Sequence, residues 1–102
     1  MKRLVVYIVS VDEDIAEKSF RNAIDSLSSI DLVKISPKTV EVEPHDDYRG
    51  VVAKVDYEFI KPEANENKTA SKGLQDLVQS LIKAQLWNIP SVRVITETGV
   101  SN

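Results

Sequence analysis

Cysteine is absent from the 102-residue chain, which excludes disulfides, thiolate nucleophiles, thiolate zinc sites and iron–sulfur clusters together. Stability must come from packing. Glycine occurs only at Gly50, Gly73 and Gly99, so no phosphate-cradling glycine loop can be written, and no serine sits in a nucleophile elbow. Positive charge is not in excess: 13 Lys and Arg stand against 16 Asp and Glu, a formal charge of −3. Nonspecific nucleic-acid affinity comes mostly from phosphate neutralisation, so nucleic acid is disfavoured as a partner. Long apolar runs are missing too. The longest, Leu4 to Val9, is strand length, against roughly 18 residues for a spanning helix. Lys2 and Arg3 lead into it and no small-residue cleavage site follows, so neither a membrane association nor a signal peptide is expected, and cytoplasm is the default compartment.

What is present is enough for one domain, 1–102, burying roughly 60–70% of the surface of the unfolded chain. Leu4-Val-Val-Tyr-Ile-Val-Ser10 is β-branched and aromatic and apolar on both faces, which predicts a central strand. Asp12 is placed to cap a helix that runs to about Ser29, with Ala16, Phe20, Ala23, Ile24 and Leu27 as its buried stripe. Lys38 to Glu43 alternates with Val40 and Val42 on one side, and Val51 to Ile60 alternates with Val51, Ala53, Val55, Tyr57 and Phe59 on one side. The turn-rich Pro44 to Gly50 joins the two strands into a hairpin. Lys61 to Asn67 reads as a mobile loop. Asn67 or Thr69 caps a second helix, striped by Leu74, Leu77, Val78, Leu81 and Ile82 and ending near Trp87, because Pro90 biases Ile89 away from helical geometry. Ser91 to Thr96 is the last strand, and residues 98–102 form a tail. The Lys, Glu, Ile and Val usage without cysteine would suit a thermophile, and a compact domain of this size would suit a virus or mobile element.

The chain also resembles itself. A shift of 54 positions pairs Ala16, Lys18, Ser26, Leu27, Leu32, Ile35, Val40 and Glu43 with identical residues at Ala70, Lys72, Ser80, Leu81, Leu86, Ile89, Val94 and Glu97. A shift of 46 pairs Arg3, Val5, Val6 and Val9 with Arg49, Val51, Val52 and Val55. These matches predict two related β-α-β halves, 1–44 and 49–97. The expected fold is α+β, a ferredoxin-like β-α-β-β-α-β sandwich in the order 4-1-3-2, with a four-stranded antiparallel sheet and both helices on one face.

Few residues carry chemistry. Val6-Tyr-Ile-Val-Ser-Val11 resembles the first-strand signature of the RNA-recognition motif, and Arg49-Gly50 resembles the opening of its third-strand signature. That resemblance implies single-stranded nucleic-acid binding through the sheet, with Tyr7 as a base-stacking aromatic. Val51 and Ala53 stand where the family has two more aromatics, and its register would turn Lys54 and Asp56 into the core. His45, with Glu43, Asp46 and Asp47 beside it, is read as a polar turn, because consecutive turn residues seldom converge on a metal. Asp12-Glu-Asp14 is read as helix-start chemistry. No metal, cofactor or catalytic residue is assigned, and no enzyme is expected.

The remaining feature is a surface. Pairing the halves sends Val5, Tyr7 and Val9 to the helix side and leaves Leu4, Val6 and Ile8 on the open face with Val52 and Ile95, rimmed by Lys54 and Arg93. The opposite register of the first strand would put Val5, Tyr7 and Val9 outward instead. An apolar centre with a charged rim is the pattern of an interface, unless the loop at 61–68 or the tail covers it. The last strand, through Val92 and Val94, and a groove bordered by Trp87 offer a second place for a peptide. The expectation is a noncatalytic module that self-associates, as a dimer, or binds a peptide. Nucleic-acid binding and a small-ligand sensor are the alternatives.

Overall fold

The structure is a computed structural model and is described for residues 2–86 and 91–97. β-Branched and alternating segments become four strands, β1 (Lys2–Val9), β2 (Val33–Pro44), β3 (Gly50–Phe59) and β4 (Ser91–Glu97). The two stretches of helical spacing become α1 (Glu13–Ser28) and α2 (Lys68–Lys83). All strand pairs are antiparallel, in the order β2-β3-β1-β4, which read from the other edge is 4-1-3-2.

Local chemistry sets the ends of the helices. Asn67 Oδ1 accepts from the amides of Thr69 and Ala70 and so caps α2. Asp12 occupies the N-cap position of α1 without a side-chain capping bond, because its carboxylate is paired with Arg49 across the 44–50 turn. At the other end α2 stops at Lys83, short of the expected Trp87: the amides of Gln85 and Leu86 turn back to the carbonyls of Ile82 and Lys83, tightening the chain out of the α-helix. Trp87 itself lies outside the described residues. The segment read as a mobile loop contains a 3-10 turn, Pro62–Glu66, held where Asn65 Oδ1 accepts from the Phe59 amide.

One core joins the helical stripes (Ala16, Phe20, Ala23, Ile24 and Leu27 on α1; Leu74, Val78 and Ile82 on α2) to a single face of the sheet. That face carries Val51, Ala53, Val55, Tyr57 and Phe59, as the alternation of β3 predicts, with Val40 and Val42 packed against its margin. It also carries Leu4, Val6 and Ile8, each fully buried, and this corrects the expectation that these three stand on the open face. Directly opposed residues of an antiparallel pair share a face. Leu4, Val6 and Ile8 oppose Val55, Ala53 and Val51, so the buried side of β3 draws them toward the helices. The shift of 46 that aligned Val5 with Val51 is therefore out of phase by one residue, and a slip of one exchanges every side chain between faces.

β2 starts earlier than its alternation suggests. Its pairing with β3 changes register between Ser36 and Glu41, where the intervening residues include Pro37. Proline is tolerated at a bulge on an edge strand. Thr39 mends the interrupted ladder: its hydroxyl donates to the Ser36 carbonyl at 2.7 Å and accepts from the Asp56 amide at 2.7 Å.

Candidate functional site

The helix-free face is built from the alternate residues of each strand. The cross-strand register gives three rows: Glu43–Val52–Tyr7–Arg93, then Glu41–Lys54–Val5–Ile95, then Ser36–Asp56–Arg3–Glu97. Val5, Tyr7, Val9, Val52 and Ile95 form the apolar centre. Val5 is 1% exposed because it sits between Lys54 and Ile95 in the middle of the sheet, whereas Tyr7, Val9, Val52 and Ile95 are half-buried. Thus Val52, Ile95, Lys54 and Arg93 occupy the face on which the alternation placed them, and the β1 contribution is Val5, Tyr7 and Val9 in place of Leu4, Val6 and Ile8.

Charge on this face is arranged by edge. Glu41 and Glu43 are exposed on β2 and Arg93 is exposed on β4. Neither Glu43 nor Arg93 has an ion-pair partner among the described residues. At the far end Arg3 Nε donates to Asp56 Oδ1 at 2.9 Å, and the Asp56 side chain is 8% exposed. This pair closes off the third row and confines the open apolar area to the other two.

The 61–68 segment does not lie over this surface, since Ala64 packs against the helix-side core. Of the two edge strands, β2 is guarded by Pro37, Pro44, its bulge and its charges. β4 contains no proline across Ser91–Glu97. Val92 and Val94 are nevertheless buried in the core, 8% and 6% exposed. Their side chains cannot line a peptide groove, and only the outer backbone of β4 remains to accept a strand.

Tyr7 points outward on the central strand, as the resemblance to the RNA-recognition motif implies, but its neighbour on β3 is Val52, and Val51 and Ala53 are in the core. Among the described residues the face offers one aromatic and mixed charge. His45 Nδ1 accepts from the Asp47 amide at 3.2 Å and its ring rests 5.5 Å from that of Tyr48, both within the 44–50 turn. Among the described residues no three acidic or histidine side chains gather in a way that could hold a metal ion, and no helix is long and apolar enough to cross a membrane. Comparison of the chain with protein families, with curated proteins and with solved structures gives no match.

Proposed function

We propose that this chain is a noncatalytic interaction module of the ferredoxin-like class, formed from two related β-α-β halves, that pairs with a second copy of itself through the helix-free face. The carrying observation is the edge-to-edge asymmetry of the two open rows: an apolar centre of Val5, Tyr7, Val9, Val52 and Ile95 with Glu41 and Glu43 on β2 and Arg93 on β4. Such a surface is complementary to itself under one symmetry only. A two-fold axis parallel to the strands, between β3 and β1, lays Glu43 of one copy over Arg93 of the other, twice, and brings Tyr7 to Val52. An axis across the strands would lay the acidic edge on itself. Closed dimers of this kind use the same patch on both copies, and aligned sheet packing accommodates it.

Magnitude limits the affinity. Four strands roughly 4.8 Å apart, over five to eight residues at about 3.3 Å each, give a footprint of roughly 300–500 Å². A stable interface buries about 800 Å² per partner. The pairing is therefore weak and concentration-dependent. Light scattering coupled to size exclusion, from low to high micromolar protein, should show a rise from monomer toward dimer mass that Tyr7→Lys abolishes. Exchanging Glu43 and Arg93 singly for the opposite charge should weaken it, and the double exchange should restore it. A monomer at every concentration refutes the proposal.

A second reading is favoured by the contrast between the edges: a peptide strand added to β4, whose outer backbone meets no strand among the described residues while β2 is blocked. It predicts binding that survives Tyr7→Lys and is lost when Arg93, Ile95 or another β4 residue is replaced by proline.

A further inference from the structure

On the side of the sheet away from the open face, the start of β1 and the end of β4 meet the first turns of α2 in a cleft of about 490 Å³. Consecutive cations of β1 have opposite fates here. Arg3, facing outward, is neutralised by Asp56. Lys2, facing the helices, is 8% exposed, and no carboxylate among the described residues lies within ion-pair distance of it. Its ammonium donates to Ser71 Oγ at 2.8 Å and stands 5.8 Å from the centre of the Phe59 ring. A buried ammonium without a counter-charge is costly.

The hydroxyls around it all have protons to give. Ser71 Oγ is an acceptor in its bond from Lys2, and Thr96 Oγ1 is an acceptor in its bond from Gln75 Nε2 at 3.1 Å. Tyr57 is fully buried, and its hydroxyl has no hydrogen-bond partner among the described residues. The Thr96 and Ser71 hydroxyls are its polar neighbours, but neither reaches hydrogen-bonding geometry with it. Lys2, Ser71 and Thr96 thus present one ammonium and two hydroxyls to the cleft, beside the amides of Asn65 and Gln75. Lys68 and Lys72 add positive charge at the rim, Glu66 adds one negative charge, and Lys72 is shared with Asp76 at 2.9 Å. The first amides of α2 are occupied by the Asn67 cap, so the recognising groups are side chains.

We infer that this cleft binds a small phosphate-bearing ligand, with Lys2, Ser71 and Thr96 donating to the phosphate oxygens. A phosphate monoester carries the charge that Lys2 lacks and several acceptor oxygens for the surrounding donors. The cleft falls in the size range of small-molecule sites, roughly 300–1,000 Å³, which leaves room for the group to which the phosphate is attached.

The test is an amide-detected NMR titration of the full chain with inorganic phosphate, AMP and glucose 6-phosphate in parallel, each against sodium chloride at matched ionic strength. Saturation below about 10 mM, with shifts centred on Lys2, Ser71, Lys72 and Thr96, is expected for at least one probe. The ranking of the three probes identifies the attached group. Lys2→Met should weaken binding about tenfold or more by removing a charge-assisted donor, and Ser71→Ala provides the same comparison should Lys2→Met fail to fold. Tyr7→Lys should bind as the wild type does. Shifts reproduced by chloride, no saturation with any probe, or unchanged affinity in the folded cleft variants would overturn the inference.

Discussion

Tyr57→Phe isolates the most unusual polar group in the core. The tyrosine is fully buried, and among the described residues its hydroxyl has no hydrogen-bond partner, although the Thr96 and Ser71 hydroxyls stand near it. An unsatisfied hydroxyl costs roughly 1–3 kcal/mol. Deleting one oxygen leaves a void on the order of 10 Å³, which costs about 0.2 kcal/mol at roughly 24 cal/mol per Å³. The gain dominates, and the variant should be more stable by about 1 kcal/mol or more, with a rise in Tm of roughly 4–8 °C per kcal/mol for a domain of this size. The pH dependence gives a second readout. Burial raises the Tyr57 pKa above its ordinary value of 10.0, an effect partly offset by the Thr96 and Ser71 hydroxyls. As pH climbs past about 10 the unfolded chain releases this proton while the folded chain keeps it. The unfolded state then binds fewer protons, and stability falls as pH rises. Below that pH the residue adds no slope. Urea melts of both proteins between neutral pH and pH 11 should therefore diverge on the alkaline side, the wild type losing more. A Phe variant less stable by 1 kcal/mol would show that the hydroxyl is bonded, and would refute the reasoning.

Three further substitutions probe the fold. Gly50 has φ +129°, and a Cβ at this position would collide with the Ile8 carbonyl; Gly50→Ala should cost about 3 kcal/mol or more by chemical denaturation. Asn67→Ala leaves the Thr69 and Ala70 amides without their acceptor and should cost about 1 kcal/mol in the same assay. Leu4→Ala, in the core, should cost about 2–5 kcal/mol, whereas Val9→Ala, on the half-buried open face, should cost less than about 1 kcal/mol. The reverse ranking of Leu4 and Val9 would show that the β1 register is inverted.

The helices and β3 were legible because each buries one side only. Phe20, Ile24, Leu74 and Val78 recur at helical spacing, and Ala53, Val55, Tyr57 and Phe59 alternate with Lys54, Asp56 and Glu58. β1 was legible as a central strand but not in its phase. Leu4 through Val9 is apolar at every position, so a period of two has nothing to contrast, and only the pairing with Ala53 and Val55 decides which residues face the helices. The early start of β2 was hidden by Pro37, which reads as a break but sits in a bulge that Thr39 repairs. The phosphate cleft had no sequence signal. Lys2, Ser71 and Thr96 come from three elements and meet only once the sheet has formed. In hindsight the one hint was parity, since Lys2 shares the phase of Leu4, Val6 and Ile8.

That parity also separates the two proposed surfaces. Even-numbered β1 residues from Lys2 to Ile8 face α2 and the core, and odd-numbered ones from Arg3 to Val9 face away. A change at Tyr7 therefore alters the outer face while leaving the donors around Lys2 in place, and Lys2→Met does the converse. If both surfaces act, dimerisation should persist in Lys2→Met and phosphate binding in Tyr7→Lys. Loss of both functions in either variant would mean that the sheet itself had been disturbed. That case is distinguished by Val9→Ala, which touches the outer face without altering charge and should leave the cleft titration as it is in the wild type.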